Sequence, residues 1–258
     1  MSHCQLALKD RVLTVTIDRP PVNALSRDVL AEMADLLTKY RESPEVGALV
    51  LTGAGDKVFS GGADITEFGD LADPEKAKET LARMHRLFNQ IETYPKPIIA
   101  CLNGTALGGA NELQMACHLA IAADTAELGL PEVRLGIIPG YGGTQRLTRL
   151  IGRRRALELI LSGEKIPASL AREYGLVNRV VPGERVREEA FQWARRLAAG
   201  PPLAVHGILD AVIRGGDGGL ADGLAIEQEH LLKVIGSEDA REGITAFFEK
   251  RPPVFKGR

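Results

Sequence analysis

Several classes of protein are excluded by what this 258-residue chain lacks. Its three cysteines, at positions 4, 101 and 117, have no paired metal spacing, and the latter two lie in apolar surroundings. A reduced chain in the cytoplasm is the expectation. Five histidines, at positions 3, 85, 118, 206 and 230, form no HxxxH pair and have no cysteine pair nearby, so each reads as structural or solvated and no metal is expected. Neither sign of charge dominates. Thirty-two Lys and Arg against 34 Asp and Glu leave a formal net charge of -2, which argues against polyanion binding as the main role. Long apolar runs are missing too, because the stretch 97–123 is broken by Asn103, Asn111, Glu112 and Gln114. The start, MSHCQLALKDR, has no basic segment followed by an apolar block, so neither a membrane span nor a secretion signal is expected. No internal repeat or low-complexity linker is visible.

What remains is a globular composition, 45% hydrophobic and 26% charged, long enough to bury a substantial core. The first half alternates strand-like and helix-like segments: VLTVTI at 12–17, SRDVLAEMADLLTKY at 26–40 and GALVLT at 47–52. That is a β/α pattern. Ser26 is placed to cap the first helix, whose Val29, Leu30, Met33, Leu36 and Leu37 fall on one face. A polar helical stretch spans 74–92, and the strand PIIACL follows at 97–102. After Thr144 strands nearly stop and helical patterns dominate, broken at Gly163, at 177–183, at Pro201-Pro202 and in a glycine cluster at 215–219. The organisation read from this is an α/β core over 1–195 that carries the site, followed by a helical region over 196–258.

Two glutamates sit in glycine-rich stretches. GTALGGANELQM at 104–115 follows the strand PIIACL, which gives strand, tight loop, then helix, with Glu112 on the helix. LPEVRLGIIPGYGGTQRL at 130–147 carries Glu132 directly after Pro131 and a Pro-Gly-x-Gly-Gly turn further on. Glycines let backbone N–H groups approach a ligand, and a helix N-terminus presents unpaired donors that favour negative charge. A helix beginning near Gly109 puts Glu112 on a face with Leu113, Ala116, Cys117 and Ala120, apolar surroundings in which a carboxylate is costly without a purpose. Each feature alone also has a plain reading. Glu112 reads equally as an exposed helix residue, Glu132 as a solvated loop residue, and Gly61-Gly62, in KVFSGGADITEF at 57–68, as an ordinary turn. Arg146, Arg149 and the run 153–155 form a basic stripe, read as a solvated helix face or an oligomer contact in preference to a phosphate or RNA site.

Taken together, DRPPVNAL at 18–25, FSGGADI at 59–65, NGTALGGANEL at 103–113 and LPEVRLGIIPGYGGTQRL at 130–147 resemble enoyl-CoA hydratases of the crotonase superfamily, over nearly the whole chain. The resemblance implies a spiral of ββα turns with a C-terminal helical trimerisation region. It also implies hydration of 2-trans-enoyl-CoA to 3-hydroxyacyl-CoA. The two oxyanion N–H groups then fall on Ala63 and Gly109, and the two catalytic carboxyl groups on Glu112 and Glu132. Substrate contacts fall on Val22, Ala24, Gly61, Asp64, Ile65 and Gly140, and CoA contacts on Phe247 and Lys250 from a neighbouring subunit, with Arg19 and Lys57 as further partners for the phosphates. No cofactor is implied beyond the CoA of the substrate, and the expected partners are that thioester and further copies of the chain, as a trimer or a dimer of trimers. Asn111 and Leu130, which depart from the family pattern, and Tyr141 are placed near the acyl pocket, which the insertion at 66–86 helps to shape. Double-bond isomerisation on the same scaffold, needing one carboxylate, and a non-catalytic acyl-CoA or RNA-binding module are the competing readings. A dinucleotide-binding dehydrogenase is weaker, because GTALGG lacks the G-x-G-x-x-G spacing.

Overall fold

A computed structural model describes residues 2–258. The chain opens with an antiparallel pair, β1 (Cys4–Lys9) and β2 (Val12–Ile17), which turns at Asp10 and Arg11, both with positive φ. Helix α1 (Arg27–Tyr40) carries the chain to β3 (Ala48–Gly53), parallel to β2. Ser26 caps α1 by accepting from the Val29 N–H, and Val29, Leu30, Met33 and Leu37 are buried.

From β3 onward one pattern recurs three times. A strand of the large sheet is followed by a short strand of a smaller sheet, then by a helix. The pairs are β3 with β4 (Val58–Ser60), β5 (Ile98–Leu102) with β6 (Thr105–Leu107), and β7 (Leu119–Ala123) with β8 (Glu127–Gly129). The helices that follow them are α2 (Pro74–Glu92), α3 (Gly109–Ala116) and α4 (Gly143–Ile151), with 3-10 turns at Ile65–Ala72 before α2 and Pro131–Leu135 before α4. Helix α5 (Arg153–Ser162), β9 (Lys165–Pro167), α6 (Ala168–Tyr174) and β10 (Arg179–Val181) complete the two sheets, ordered β1-β2-β3-β5-β7-β10 and β4-β6-β8-β9. Every residue of β3 and β5 is buried, which explains their unbroken apolar runs: parallel strands are covered on both faces. On one side lies α7 (Val186–Ala198), whose Val186, Ala190, Ala194 and Ala198 repeat every four residues and bring the helix close to the sheet. Three helices follow: α8 (Pro202–Asp217), α9 (Leu220–Ile235) and α10 (Glu238–Glu249). Only Gly207 is buried in α8 and nothing in α9, while Ile208, Val212, Leu232, Ile235, Phe247 and Phe248 are exposed.

The long elements lie where the sequence places them, at 12–17, 27–40, 48–53, 74–92 and 98–102. The threefold ββα recurrence does not show in the sequence as a repeat, because its second strands are three residues long and its helices differ in length from 8 to 19 residues. Strand β1 was missed because only Cys4 of its six residues is buried. Residue 195, where the sequence reading ends the core, falls inside α7, which packs on the large sheet, and the next helix begins at Pro202. Among the described residues no helix is long and apolar enough to cross a membrane.

Candidate active site

The PPVNAL turn is fastened by Asn23, whose side-chain amide donates to the carbonyls of Ala54 and Val58. This turn presents Leu25 to the chain leaving β4. The Leu25 N–H donates to the Gly62 carbonyl (2.8 Å) and the Asp64 N–H to the Leu25 carbonyl (3.3 Å). Such a parallel bridge turns the N–H of the residue between them, Ala63, to the opposite side. Gly62 has φ +96, and a Cβ there would meet the Leu107 carbonyl at 2.5 Å, so no other residue fits. Gly108, φ +54, starts α3 and leaves Gly109 as its first residue, with an N–H that has no partner inside the helix. The two amides are neighbours: a Cβ built on Gly109 would lie 3.2 Å from the Ala63 nitrogen. Among the described residues neither N–H meets an acceptor.

Glu112 follows Gly109 by three residues on the same face of α3 and is 2% exposed. Its Oε1 accepts from the Tyr141 N–H (2.8 Å) and the Gly143 N–H (2.7 Å). A Cβ on Gly143 would stand 2.9 Å from that oxygen, which explains the glycine. Burial pushes the Glu112 carboxyl up from 4.5 to about 7; the Gly143 N–H opposes this, nearby Glu132 adds to it, and the Tyr141 N–H and Arg146 oppose it. The face it shares is shorter than the sequence implied, since α3 ends at Ala116 and Ala120 belongs to β7.

Glu132 stands on the 3-10 turn after Pro131 and is half-buried. Its Oε1 lies 3.1 Å from where a Cβ on Gly108 would be, and its Oε2 is buried without a hydrogen-bond partner. Burial raises its pKa. A cavity of about 870 Å³ is lined by Ala63, Gly109, Glu112, Glu132 and Gly140, so both carboxyl groups and both amides open onto one space. Among the described residues no group of His, Cys, Asp and Glu is placed to hold a metal ion.

The other predicted positions fall differently. Gly61 and Val22 adjoin one another beside Ala63, the Gly61 N–H donating to the Val22 carbonyl, and Val22 and Ile65 are exposed while Ala24 is half-buried. Asp64 is occupied, accepting from the Thr66 N–H and hydroxyl and pairing with Arg19 at 2.6 Å; the Thr66 bonds first, then Arg19, hold its carboxyl below the usual range. Arg19 therefore spends its charge within the loop. Phe247, 79% exposed, and Lys250, which ends α10 with φ +55, lie outside the cavity of their own chain. Asn111 and Leu130 are buried off the cavity, Asn111 accepting from Gln114, so of the three acyl-pocket positions named from sequence only Tyr141 lines it. The 66–86 segment does contribute, through Thr80, Leu81 and His85 of α2.

One residue was misjudged in the sequence. Arg146 belongs to no solvated stripe: it is 9% exposed and bonded to Glu92, Asn89 and the Tyr141 carbonyl. His85, read as structural or solvated, has its ring Nε2 2.8 Å from the Gly140 carbonyl at the cavity wall. The available signal was helical spacing, because His85, Asn89 and Glu92 recur at i, i+4 and i+7 on one face of α2.

The spiral of ββα turns gathers two free amides, the buried Glu112 and the half-buried Glu132 around one cavity, an arrangement suited to acyl-thioester chemistry. The comparisons agree with that class. The enoyl-CoA hydratase/isomerase family model matches residues 8–258, and the chain belongs to that family. It is 43% identical over 258 residues, all of both chains, to a probable enoyl-CoA hydratase of Bacillus subtilis. It is 40% identical to a short-chain-enoyl-CoA hydratase of Clostridium acetobutylicum, over 97% of this chain and 96% of that one. The crystal structure of an enoyl-CoA hydratase from Bacillus anthracis superposes with a TM-score of 0.95 at 40% identity, covering 99% of this chain and all of the other.

Proposed function

We propose that this protein reversibly hydrates 2-trans-enoyl-CoA thioesters to 3-hydroxyacyl-CoA. The observation that carries the reading is the meeting of two unpaired N–H groups and two carboxyl groups of raised pKa in one cavity. Glu112, whose Oε1 is held by two N–H donors, takes a proton from water as the oxygen bonds to C3. The C2–C3 π electrons shift toward the thioester, and the charge that develops on its oxygen is held by the Ala63 and Gly109 N–H groups and by the start of α3. Glu132, whose unpartnered Oε2 suits the protonated form, gives its proton to C2. One water is added, and the carboxyl pair ends with its one proton moved from Glu132 to Glu112, restored through solvent. Isomerisation needs one carboxylate, so the pair favours hydration.

The thioester lies with its CoA moiety along Val22, Ala24, Gly61 and Ile65, and Lys57 and, from a second copy, Phe247 and Lys250 meet the nucleotide end. The exposed apolar residues of α8–α10 support an oligomer of this chain, and the chemistry calls for no cofactor. The reading is tested by following loss of enoyl absorbance with short, medium, long and branched 2-enoyl-CoA esters. Turnover of at least one ester is expected; turnover of none, or migration of the double bond without water addition, overturns it.

A further inference from the structure

The loop that supplies both donors to Glu112 is held from outside the reaction centre. Arg146, in the first turn of α4, lies across it: Nη1 donates to the Tyr141 carbonyl (3.1 Å), Nη2 to Asn89 Oδ1 (2.8 Å), and Nη2 and Nε to Glu92 Oε2 (2.7 and 3.1 Å). Thus the guanidinium ties residue 141 to α2. It also rests against Gly142, where φ is +107 and a Cβ would stand 2.2 Å from Nη1. No side chain fits between loop and guanidinium. The planar fork is used in three directions at once, which a lysine ammonium cannot reproduce.

The backbone of this loop is held from two sides. The Tyr141 carbonyl is held by Arg146, while the N–H groups of Tyr141 and Gly143 point back to a single oxygen of Glu112. A rotation of the 141–142 peptide would break the first bond and misdirect the others. We infer that Arg146 is a positioning residue for hydration, fixing the 141–143 backbone so that both N–H groups converge on Glu112 Oε1 and its other oxygen stays free for water. The inference rests on the assignment of Glu112 under the proposed function. Arg146 also adds a positive charge near that carboxyl. The other titratable groups around it are Glu132 on its turn and the Tyr141 phenol on the loop, with Glu92 and His85 of α2 and the Arg149–Asp217 ion pair lining the same cavity.

The test is a pH–rate profile with crotonyl-CoA for the parent and for Arg146→Met, Arg146→Lys and Glu92→Gln, with thermal unfolding measured on each. For Arg146→Met kcat is expected to fall by about 10²-fold, as misplacement of a reacting group does, with little change in KM. Its acidic limb should move up by about one pH unit, since both a positive charge and well-aimed N–H donors are lost. Arg146→Lys keeps the charge but not the fork, so kcat falls while the limb stays near the parent's. Glu92→Gln removes the negative charge behind Arg146, so its limb moves down, and this variant decides the matter should Arg146→Met not fold. Folded Arg146 variants with parental kcat, or variants that lose only thermal stability while every limb stays in place, overturn the inference alone. A parent that hydrates no enoyl-CoA ester, or whose Glu112→Gln variant keeps full turnover, overturns the proposed function together with it.

Discussion

Replacing Gly109 by alanine adds one methyl group where the two free amides meet. The new carbon would stand 3.2 Å from the Ala63 nitrogen and 3.1 Å from two ring carbons of Tyr141. The backbone at Gly109 does not require positive φ, so alanine can be accommodated and its own N–H is retained. The crowding falls inside the donor pair. Two effects follow, of different size. The ring contact asks Tyr141 to yield by a few tenths of an ångström, an overpacking cost of about 1 kcal/mol because the ring borders a cavity. Displacing the thioester oxygen from one donor costs about 10²–10³ in turnover, some 3–4 kcal/mol. Turnover should therefore suffer more than stability. The assay pairs the rate of enoyl-absorbance loss with thermal unfolding, on the variant and on Gly109→Ala combined with Tyr141→Ala. The second change removes the ring contact and leaves the methyl at Ala63, so the double variant should regain stability and remain slow. Parental kcat in a folded Gly109→Ala protein, or full recovery in the double variant, refutes the oxyanion assignment.

Glu112→Gln and Glu132→Gln should each keep the fold and lose about 10²–10⁴ in kcat, and the double variant less than the product, because paired groups act as a unit; a folded single variant with full turnover removes that glutamate from the mechanism. Stability should respond with opposite sign. The folded pKa of Glu112 is raised from 4.5 to about 7, so its contribution is fully present below 4.5 and is lost as pH rises through 7, amounting to about 3 kcal/mol. Glu112→Gln should thus melt higher than the parent at pH 8, with the gap closing toward pH 5, and equal gaps at both pH values contradict the buried-carboxyl account. Truncation before Glu238 removes α10 with Phe247 and Lys250 and should reduce both particle size in sedimentation and affinity for CoA esters; an unchanged size and affinity reject the cross-subunit contact.

Legibility in the sequence followed length and periodicity. Helix α1 was readable because Ser26 caps it and its apolar residues keep one face, and β3 and β5 because of their apolar runs ALVL and IIACL. The three-residue strands of the small sheet offer no period to detect, although they hold the candidate site. Glu112 and Glu132 were visible as carboxyl groups among glycines, and the family resemblance named their roles. What it could not give was partnership. Arg146 looks like its neighbours Arg149 and Arg153 in the sequence, and only its bonds to Asn89 and Glu92 of α2 separate a buried fork from solvated charges.

The position of every reactive candidate follows from the small sheet. Strands β4, β6 and β8 are adjacent and parallel, with Ser60 beside Ala106 and Leu107 beside Gly129. Neighbouring strands lie about 4.8 Å apart, so the chain segments leaving their carboxyl ends emerge side by side. Ala63 comes three residues after β4, Gly109 two residues after β6, and Glu132 three residues after β8. Glu112 rides on the helix that Gly109 begins, and the turn entering α4 closes over it with the Tyr141 and Gly143 N–H groups. Each turn of the spiral thus delivers one part of the site at the same height, and a register slip of one residue in any of these short strands would carry its part out of reach of the others.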